Sequence, residues 1–171
     1  MQIAAVKTGL RNLVLLAQEY RDRVPNETNE EIKELKGQLK FGASDENSFT
    51  NERLHGLKKE RRKTRNDIFK QLIFFIEKVL FEFATKNASP GSIKIKESRV
   101  DKVRKSLSKA EIDLLSDAYS LYNSLRNRKW YRKGEYEPKE VRGFKDEVLK
   151  VIDSAHKLGR EIRNREMVAV N

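Results

Sequence analysis

Apolar residues recur at spacings of three and four along most of this chain, which is the period of an amphipathic helix. The clearest stretch predicts a helix over residues 2–24, ended by Pro25, with the apolar positions Ile3, Val6, Leu10, Leu13, Val14, Ala17 and Tyr20. A shorter stretch predicts a second helix over residues 27–41 through Ile32, Leu35 and Leu39. Because the two-residue alternation of a half-buried strand is almost absent, the pattern predicts an all-α protein.

A long helix is expected in the middle of the chain, over residues 49–86, where no strong helix breaker occurs. It follows a polar loop over residues 42–47, and Ser48 suits its start. At 3.6 residues per turn it makes about ten turns. Its apolar stripe consists of Leu54, Leu57, Ile68, Leu72, Phe75 and Val79. Arg61 and Thr64 interrupt the stripe, so we expect the basic N-terminal half to protrude from a better-buried C-terminal half.

The strongest loop signal is the Pro-Gly stretch within residues 87–92. We expect a loop over residues 87–97 to separate an N-terminal and a C-terminal portion of one domain, residues 1–171. The elements predicted beyond it are a short helix over 98–106, a helix from the Ser108–Glu111 capping box to about Arg132, a turn over 133–137 and a last helix from Pro138 to about Arg165. The prediction is a helical bundle of about five to six helices with one long central helix.

Charge is abundant and unevenly distributed along the chain. The 37 Lys and Arg exceed the 26 Asp and Glu, for a net charge of +11. Residues 1–52 carry 7 basic and 9 acidic side chains, a net of −2, and residues 53–171 carry 30 and 17, a net of +13. Such asymmetry is typical of a protein that binds a polyanion with one side of its fold. The absence of cysteine excludes disulfides and thiolate sites and fits a reducing compartment.

The most basic segment lies in the middle of the long predicted helix. Residues 58–65 contain six cations and one anion, and the apolar stretch 72–76 follows closely. Cations on a rigid helix face neutralise phosphates and track a nucleic-acid backbone without reading its sequence. The candidates are Lys58, Lys59, Arg61, Arg62 and Arg65, of which Lys58, Arg62 and Arg65 share one face by i, i+4 and i+7 spacing. The alternative is an ordinary solvated helix face.

A second segment mixes cations with aromatic side chains. Residues 126–133 place the only tryptophan and a tyrosine among five cations. Bases stack on aromatic rings while cations hold the phosphates, so this composition suits single strands or a distorted duplex. The candidates are Arg126, Arg128, Lys129, Trp130, Tyr131 and Arg132. The alternative is that Trp130 packs on the core at a helix end.

A third basic patch lies over residues 94–109. We expect Val100, Val103 and Leu107 to anchor it, which leaves Lys102 and Lys105 facing outward as further candidates for phosphate contact. Patches on separate helices of a bundle can line one strip. The three patches together therefore suggest a composite groove for nucleic acid.

The sequence shows no recognisable motif for catalysis. His55 and His156 lack the arginine that the Arg-x4-His motif of helical HEPN ribonucleases requires, because Thr50 and Val151 occupy its position. Asp113 and Asp117 share a helix face, an arrangement that more often stabilises a helix start than binds a metal. No P-loop, HExxH, GxSxG or EF-hand pattern occurs. We expect a protein that is not an enzyme, with no catalytic residue, metal or cofactor.

Two other functions compete with nucleic-acid binding. Basic amphipathic helices with aromatic residues also bind anionic lipid as peripheral membrane proteins, although the Phe-rich segment of residues 69–83 is better explained by burial in a bundle. The longest apolar region is too charged to span a bilayer, and no signal-peptide pattern occurs. A protein-docking assembly subunit is the other alternative. Nucleic-acid binding should weaken steeply with salt, whereas apolar docking should not.

In its size, helix content, charged strips and lack of cysteine, the chain resembles the small-subunit family of CRISPR interference complexes. Its helical start at Met1-Gln2-Ile3 resembles the type I-D variety, which is translated from an internal start within the large-subunit gene. The resemblance implies a cytoplasmic helical bundle that stacks in several copies beside other subunits and contacts guide-target duplex or displaced DNA through basic residues. Its DNA or guide-RNA contacts would fall on Lys58, Arg62, Arg65, Arg128 and Arg132. The acidic N-terminal third departs from a uniformly basic module and is expected to face a protein neighbour.

Overall fold

The computed structural model describes residues 3–23, 33–37, 44–84 and 93–170. Its elements are α1 (Ile3–Arg23), α2 (Ser44–Phe81), α3 (Glu97–Arg104), α4 (Lys109–Leu125), α5 (Lys129–Lys133), α6 (Pro138–Arg142) and α7 (Lys145–Val170), and residues 33–37 are also helical. Within these ranges β-structure is limited to one antiparallel bridge between Ala84 and Ile95. The all-α prediction is confirmed.

Four long helices surround one hydrophobic core. Helix α1 packs against both α2 and α7, and α4 packs against α7 and, less extensively, against α2. The fully buried side chains come from all four helices and include Leu13, Leu72, Leu121 and Val151. Helices α1 and α4 therefore each pack against both α2 and α7, and they also contact each other.

Two glycines allow α1 to approach its neighbours closely. A Cβ on Gly9 would overlap the side chain of Val79 on α2, and a Cβ on Gly159 of α7 would lie 3.0 Å from Val14 Cγ1. Because helix axes separate by more when a side chain lies between them, these positions set the spacing of the bundle. Glycine costs helix stability, and here the close packing offsets that cost.

The two halves of α2 have different surroundings. From Ile68 onward the helix contributes to the main core, whereas upstream Leu54 packs in a separate small cluster with Leu35 and Leu57. Most side chains over residues 49–67 are exposed or half-buried. The structure thus agrees with the expectation that the basic half of this helix extends beyond the better-buried half.

The predicted bounds of the long helix were wrong at both ends. Residues 44–47 were expected in a loop, but α2 already includes them, because their polar composition suits an exposed helix as well as a loop. The helix ends at Phe81, five residues before the predicted end, and residues 82–84 turn into the bridge with Ile95. A backbone bond from Lys96 N to Phe83 O, 2.9 Å long, secures this exit.

Two helices that we predicted as continuous are interrupted. The chain leaves α4 after Leu125 and starts α5 at Lys129, and it leaves α6 at Arg142 and starts α7 at Lys145. The first break lets α5 turn its aromatic residues onto the core, and Gly134, in the left-handed conformation at φ 70°, then ends α5. The predicted Ser108–Glu111 capping box is present at the start of α4.

Some predicted elements lie partly outside the described residues. Of the second predicted helix, over residues 27–41, the described portion 33–37 is helical. The predicted loop over 87–97 is described only from residue 93, and residues 93–96 are not helical. Ile93 is buried there, and its backbone N–H donates to the Tyr122 hydroxyl at 2.9 Å. This bond ties the segment before α3 to the core face of α4.

Candidate nucleic-acid interface

A cleft with a basic rim lies between α2, α6 and α7, close to the C-terminal end of α1. Its lining is Tyr20, Arg62, Arg65, Asn66, Ile68, Phe69, Pro138, Val141, Arg142, Lys145 and Val148. We call this set the basic cleft. Four of these residues carry a positive charge and none carries a negative one. Helix α6 packs against α2 and is followed directly by the start of α7, which brings together cations far apart in sequence.

The cations of the basic cleft have no acidic partner among the described residues. Arg62, Arg142 and Lys145 are exposed and Arg65 is half-buried. Within the described part of the chain none of the four forms an ion pair or donates a hydrogen bond to a carboxylate. Unpaired cations gathered at one place repel each other, so the cleft is set to attract an anion.

Arg61 and Arg65 show this repulsion most directly. Burial, and then the positive charges of Arg61 and Arg142, lower the pKa of the Arg65 guanidinium below its ordinary value. Arg61 Nε is buried without a hydrogen-bond partner in the described structure. A buried polar atom of this kind carries a desolvation cost. An anion bound beside Arg65 would offset the repulsion that its guanidinium experiences from the neighbouring cations.

The predicted aromatic candidate Trp130 belongs to a ring cluster that adjoins the basic cleft. Its ring centroid lies 6.3 Å from that of Phe69, 5.7 Å from Tyr136 and 5.9 Å from Phe144. Trp130 is half-buried, so one part of the indole packs on the core and another part is accessible. Because Phe69 also lines the cleft, two patches that were separate in the sequence become neighbours.

Tyr131 lies on the opposite, core-facing side of α5. Its side chain is buried, and its hydroxyl donates to Glu77 Oε1 on α2. Burial raises the pKa of Glu77 to about 7. It also raises the pKa of Tyr122 and Tyr136, with Glu77 adding to both shifts. Tyr131 therefore anchors α5 to α2, and its buried ring is not placed to stack on a base.

The cations of the 126–133 segment differ in their roles. The Arg128 guanidinium lies over the Phe144 ring, 5.6 Å from its centroid. Arg132 is exposed, and its Nε donates to the backbone oxygen of Arg126 at 2.9 Å. This bond helps to close the break between α4 and α5. Arg126 is half-buried and Lys129 is exposed. Arg128 and Lys129 keep their charges accessible beside the aromatic cluster.

The remaining sequence candidates lie apart from the cleft lining. Lys59 is exposed and Lys58 half-buried, on α2 just before Arg62. Lys102 on α3 and Lys105, which follows it, are both exposed. None of the residues that line the basic cleft belongs to α3. Their predicted contact with nucleic acid stays a prediction.

Sequence reasoning missed two cations of the basic cleft, Arg142 and Lys145. They lie at the junction of α6 and α7, where the neighbouring apolar residues Val141, Phe144 and Val148 are buried. The available signal was a periodic one, since Lys139, Arg142 and Lys145 alternate with those apolar positions at spacings of three. This periodicity alone does not show which neighbouring helix lies beside these three basic residues.

Other reactive groups occupy structural positions. His156 Nε2 lies 3.0 Å from the backbone oxygen of Ala17, and His55 is exposed on α2. Asp117 accepts a hydrogen bond from the Ser154 hydroxyl between α4 and α7. Within the described ranges, no group of three or more His, Asp or Glu residues is placed to hold a metal ion. In the same ranges no helix is long and apolar enough to cross a membrane.

No protein-family model matches this chain, and neither a curated protein nor a solved structure matches it.

Proposed function

We propose that this protein binds the phosphate backbone of nucleic acid through the basic cleft. The observation that carries the proposal is the convergence of Arg62, Arg65, Arg142 and Lys145 from three helices, without an acidic partner among the described residues. Surface cations that serve solubility are usually interspersed with carboxylates. Cations gathered from distant parts of the chain into one concave place point to an anionic ligand.

The chemistry of these side chains favours phosphate. Guanidinium groups present paired N–H donors that match two oxygens of one phosphate, and three of the four cleft cations are arginines. Arg128 and Lys129 extend the positive surface beyond the aromatic cluster. This continuity suits a chain of phosphates better than a single small anion. Backbone binding of this kind carries no sequence specificity of its own.

The role is proposed to be non-catalytic. The two histidines lie on different helices, and His156 bonds to a backbone oxygen. Nothing in the lining of the basic cleft is an acid or base able to move a proton near neutral pH, since it contains no histidine, aspartate or glutamate. The protein would hold a strand while another subunit does the chemistry.

The finer form of the proposal follows the resemblance to small subunits of CRISPR interference complexes. In that form the chain acts in the cytoplasm in several copies beside other subunits and stabilises the guide-target duplex or the displaced DNA strand. The all-α fold and the segregation of basic charge to residues 53–171 support this placement. The acidic N-terminal third then faces a neighbouring protein.

The test is a charge reversal in the basic cleft. We expect the variant Arg62→Glu/Arg65→Glu to lose binding to a fluorescein-labelled single strand or duplex, measured by anisotropy at about 0.1 M salt. Two cations become anions beside the phosphates, and the resulting repulsion should weaken binding by a hundredfold or more. Circular dichroism and the melting temperature should stay close to those of the wild type.

The matched control changes the same charge elsewhere. Lys157 and Arg160 are exposed on α7, nine and twelve residues beyond Val148 of the cleft. At a rise of 1.5 Å per residue they lie about 14 and 18 Å along the helix from it. Lys157→Glu/Arg160→Glu should therefore weaken binding only a few fold. Equal losses in the two double variants would show that net charge, and not the basic cleft, determines affinity.

A further inference from the structure

The basic cleft has an apolar floor that phosphate binding does not use. Ile68 and Phe69 from α2, Val141 from α6 and Val148 from α7 form it together with Pro138. Phosphate oxygens gain nothing from such a surface, because anions are better solvated by water than by hydrocarbon. The flat faces of nucleobases, in contrast, gain by leaving water for an apolar or aromatic surface. The cleft thus combines two chemistries that occur together in a nucleotide.

One polar side chain in this cleft has a fixed orientation. Asn66 Nδ2 donates to the backbone oxygen of Tyr136 at 3.1 Å. Because a carbonyl oxygen only accepts, that bond fixes which end of the Asn66 amide is the nitrogen. Oδ1 is then left as an acceptor that no described residue uses. Nucleobases carry N–H donors on the edges that pair in a duplex. Asn66 Oδ1 is therefore suited to accept from a base that is not paired.

We propose that the basic cleft takes one unpaired nucleotide of a single strand. The base lies against the apolar floor with its edge toward Asn66 Oδ1, and the flanking phosphates meet the cations of the rim. This inference rests on the proposed function and narrows its ligand to single-stranded nucleic acid. In a duplex the bases are stacked and paired, so only the phosphates reach the cleft.

The aromatic cluster provides a reporter of this event. Trp130 is the only tryptophan of the chain, and its ring packs 6.3 Å from Phe69, a residue of the cleft floor. Phe69 is only 2% exposed, so a base on the cleft floor lies beside this pair without stacking face to face on Phe69, and it changes the surroundings of the pair. We expect a strand with bases to change the Trp130 emission at saturation, and a strand without bases to leave it nearly unchanged.

The direct test compares two oligonucleotides of equal length and charge, one normal and one built of abasic sugar-phosphate units. The folded full chain should bind the normal strand at least about fivefold more tightly at the same salt, which is the lower end of the gain expected from one stacked base. Equal affinities would overturn the inference while leaving backbone binding intact. Failure of both strands to bind would overturn the proposed function, so the two failures are distinguishable.

Two variants locate the base in the cleft. Val141→Phe fills part of the floor and should remove the preference for the normal strand while retaining binding of the abasic strand. Asn66 lies at a half-buried helical position, where a substitution puts folding less at risk. Asn66→Ala should weaken binding of the normal strand only, by about threefold to tenfold for one lost hydrogen bond. If Asn66→Ala and folded Val141→Phe both prefer the normal strand over the abasic strand as strongly as the wild type does, the base binds elsewhere and the inference is contradicted.

Discussion

Gly9 is the residue at which the packing of this bundle is most sharply constrained. An added Cβ would overlap Val79 Cγ2, and Val79 is itself buried against the core. Interiors packed at this density relax only partly when an atom is added. Gly56 on α2 is the useful contrast, because it is exposed and nothing lies within 4 Å of its added Cβ.

We expect Gly9→Ala to destabilise the protein and Gly56→Ala to stabilise it. The overlap with Val79 should cost about 1–3 kcal/mol. Alanine recovers up to about 1 kcal/mol of helix propensity at both positions. Thermal unfolding should therefore show a lower melting temperature for the first variant and a slightly higher one for the second. Equal stabilisation by both would mean that α1 and α2 do not approach closely at Gly9.

Among the described residues, Glu77 is the one whose ionisation is clearly coupled to folding near neutral pH. Burial raises its pKa to about 7 from an ordinary value of 4.5. Between these pH values the folded protein keeps a proton that the unfolded chain has lost. The free energy of unfolding should therefore fall as the pH rises from about 4.5 to 7 and level off above that range. The lost stability is on the order of 1 kcal/mol, once the solvent exposure of the half-buried carboxyl is taken into account.

Glu77→Gln should remove this pH dependence. Glutamine resembles the protonated carboxyl and can still accept the hydrogen bond from Tyr131. In urea unfolding the variant should match the wild type near pH 5 and exceed it by about 1 kcal/mol at pH 8. Glu60→Gln, at an exposed position of the same helix, serves as the control and should change neither value. Parallel pH profiles for wild type and Glu77→Gln would contradict the burial of this group.

At the scale of single elements, the start of α4 is held by interactions on two sides. Ser108 Oγ accepts from Glu111 N at 3.2 Å, and Ser108 N donates to Glu111 Oε1 at 3.4 Å. The Ser108 hydroxyl also lies 3.3 Å from Glu161 Oε2 on α7. The cap therefore fixes the helix end and links it to its main packing partner.

Ser108→Ala should destabilise the protein by about 1–2 kcal/mol, the upper part of the usual range for a lost cap. Ser116→Ala on the exposed face of the same helix should stay within about 0.5 kcal/mol of the wild type. Urea unfolding of both variants measures the difference. A loss below 0.3 kcal/mol in Ser108→Ala would show that water replaces the cap without cost.

The elements that could be predicted from sequence are those with a local cause. The capping box of α4 and the apolar period of α1 are such cases, and both are present. The breaks after Leu125 and Arg142 have no comparable local signal. The residues at the breaks include Arg, Asn and one glycine, and all of these residue types are also found inside helices. Their cause is tertiary, since the break after Leu125 allows Trp130 and Tyr131 to pack on α2.

At the scale of the whole molecule, the candidate site could be predicted only in part. The basic run of α2 is visible in sequence because six cations are adjacent there. Arg142 and Lys145 become part of the same site only when α6 and α7 pack beside α2, which no local pattern specifies. The inward direction of Tyr131 was equally undetermined, because the choice between core and surface depends on where Glu77 lies.

The salt dependence of binding measures how many phosphates the protein neutralises. It is therefore the sharpest test of whether the cations of the basic cleft contact a nucleic-acid backbone. For a single strand, the logarithm of the binding constant falls with the logarithm of salt concentration by about 0.7 for each phosphate neutralised. If the four cleft cations each contact a phosphate, the wild-type slope should be about −3 or steeper. Arg142→Gln removes one cation of the basic cleft, and Arg160→Gln removes one exposed cation of α7 that lies outside the cleft.

The decisive measurement is the slope of the logarithm of the binding constant against the logarithm of the salt concentration, from anisotropy titrations at several salt concentrations. The slope of Arg142→Gln is compared with those of the wild type and of Arg160→Gln. We expect Arg142→Gln to reduce the steepness of the slope by about 0.7 and Arg160→Gln to leave it at the wild-type value. An unchanged slope in Arg142→Gln would contradict a phosphate contact in the basic cleft.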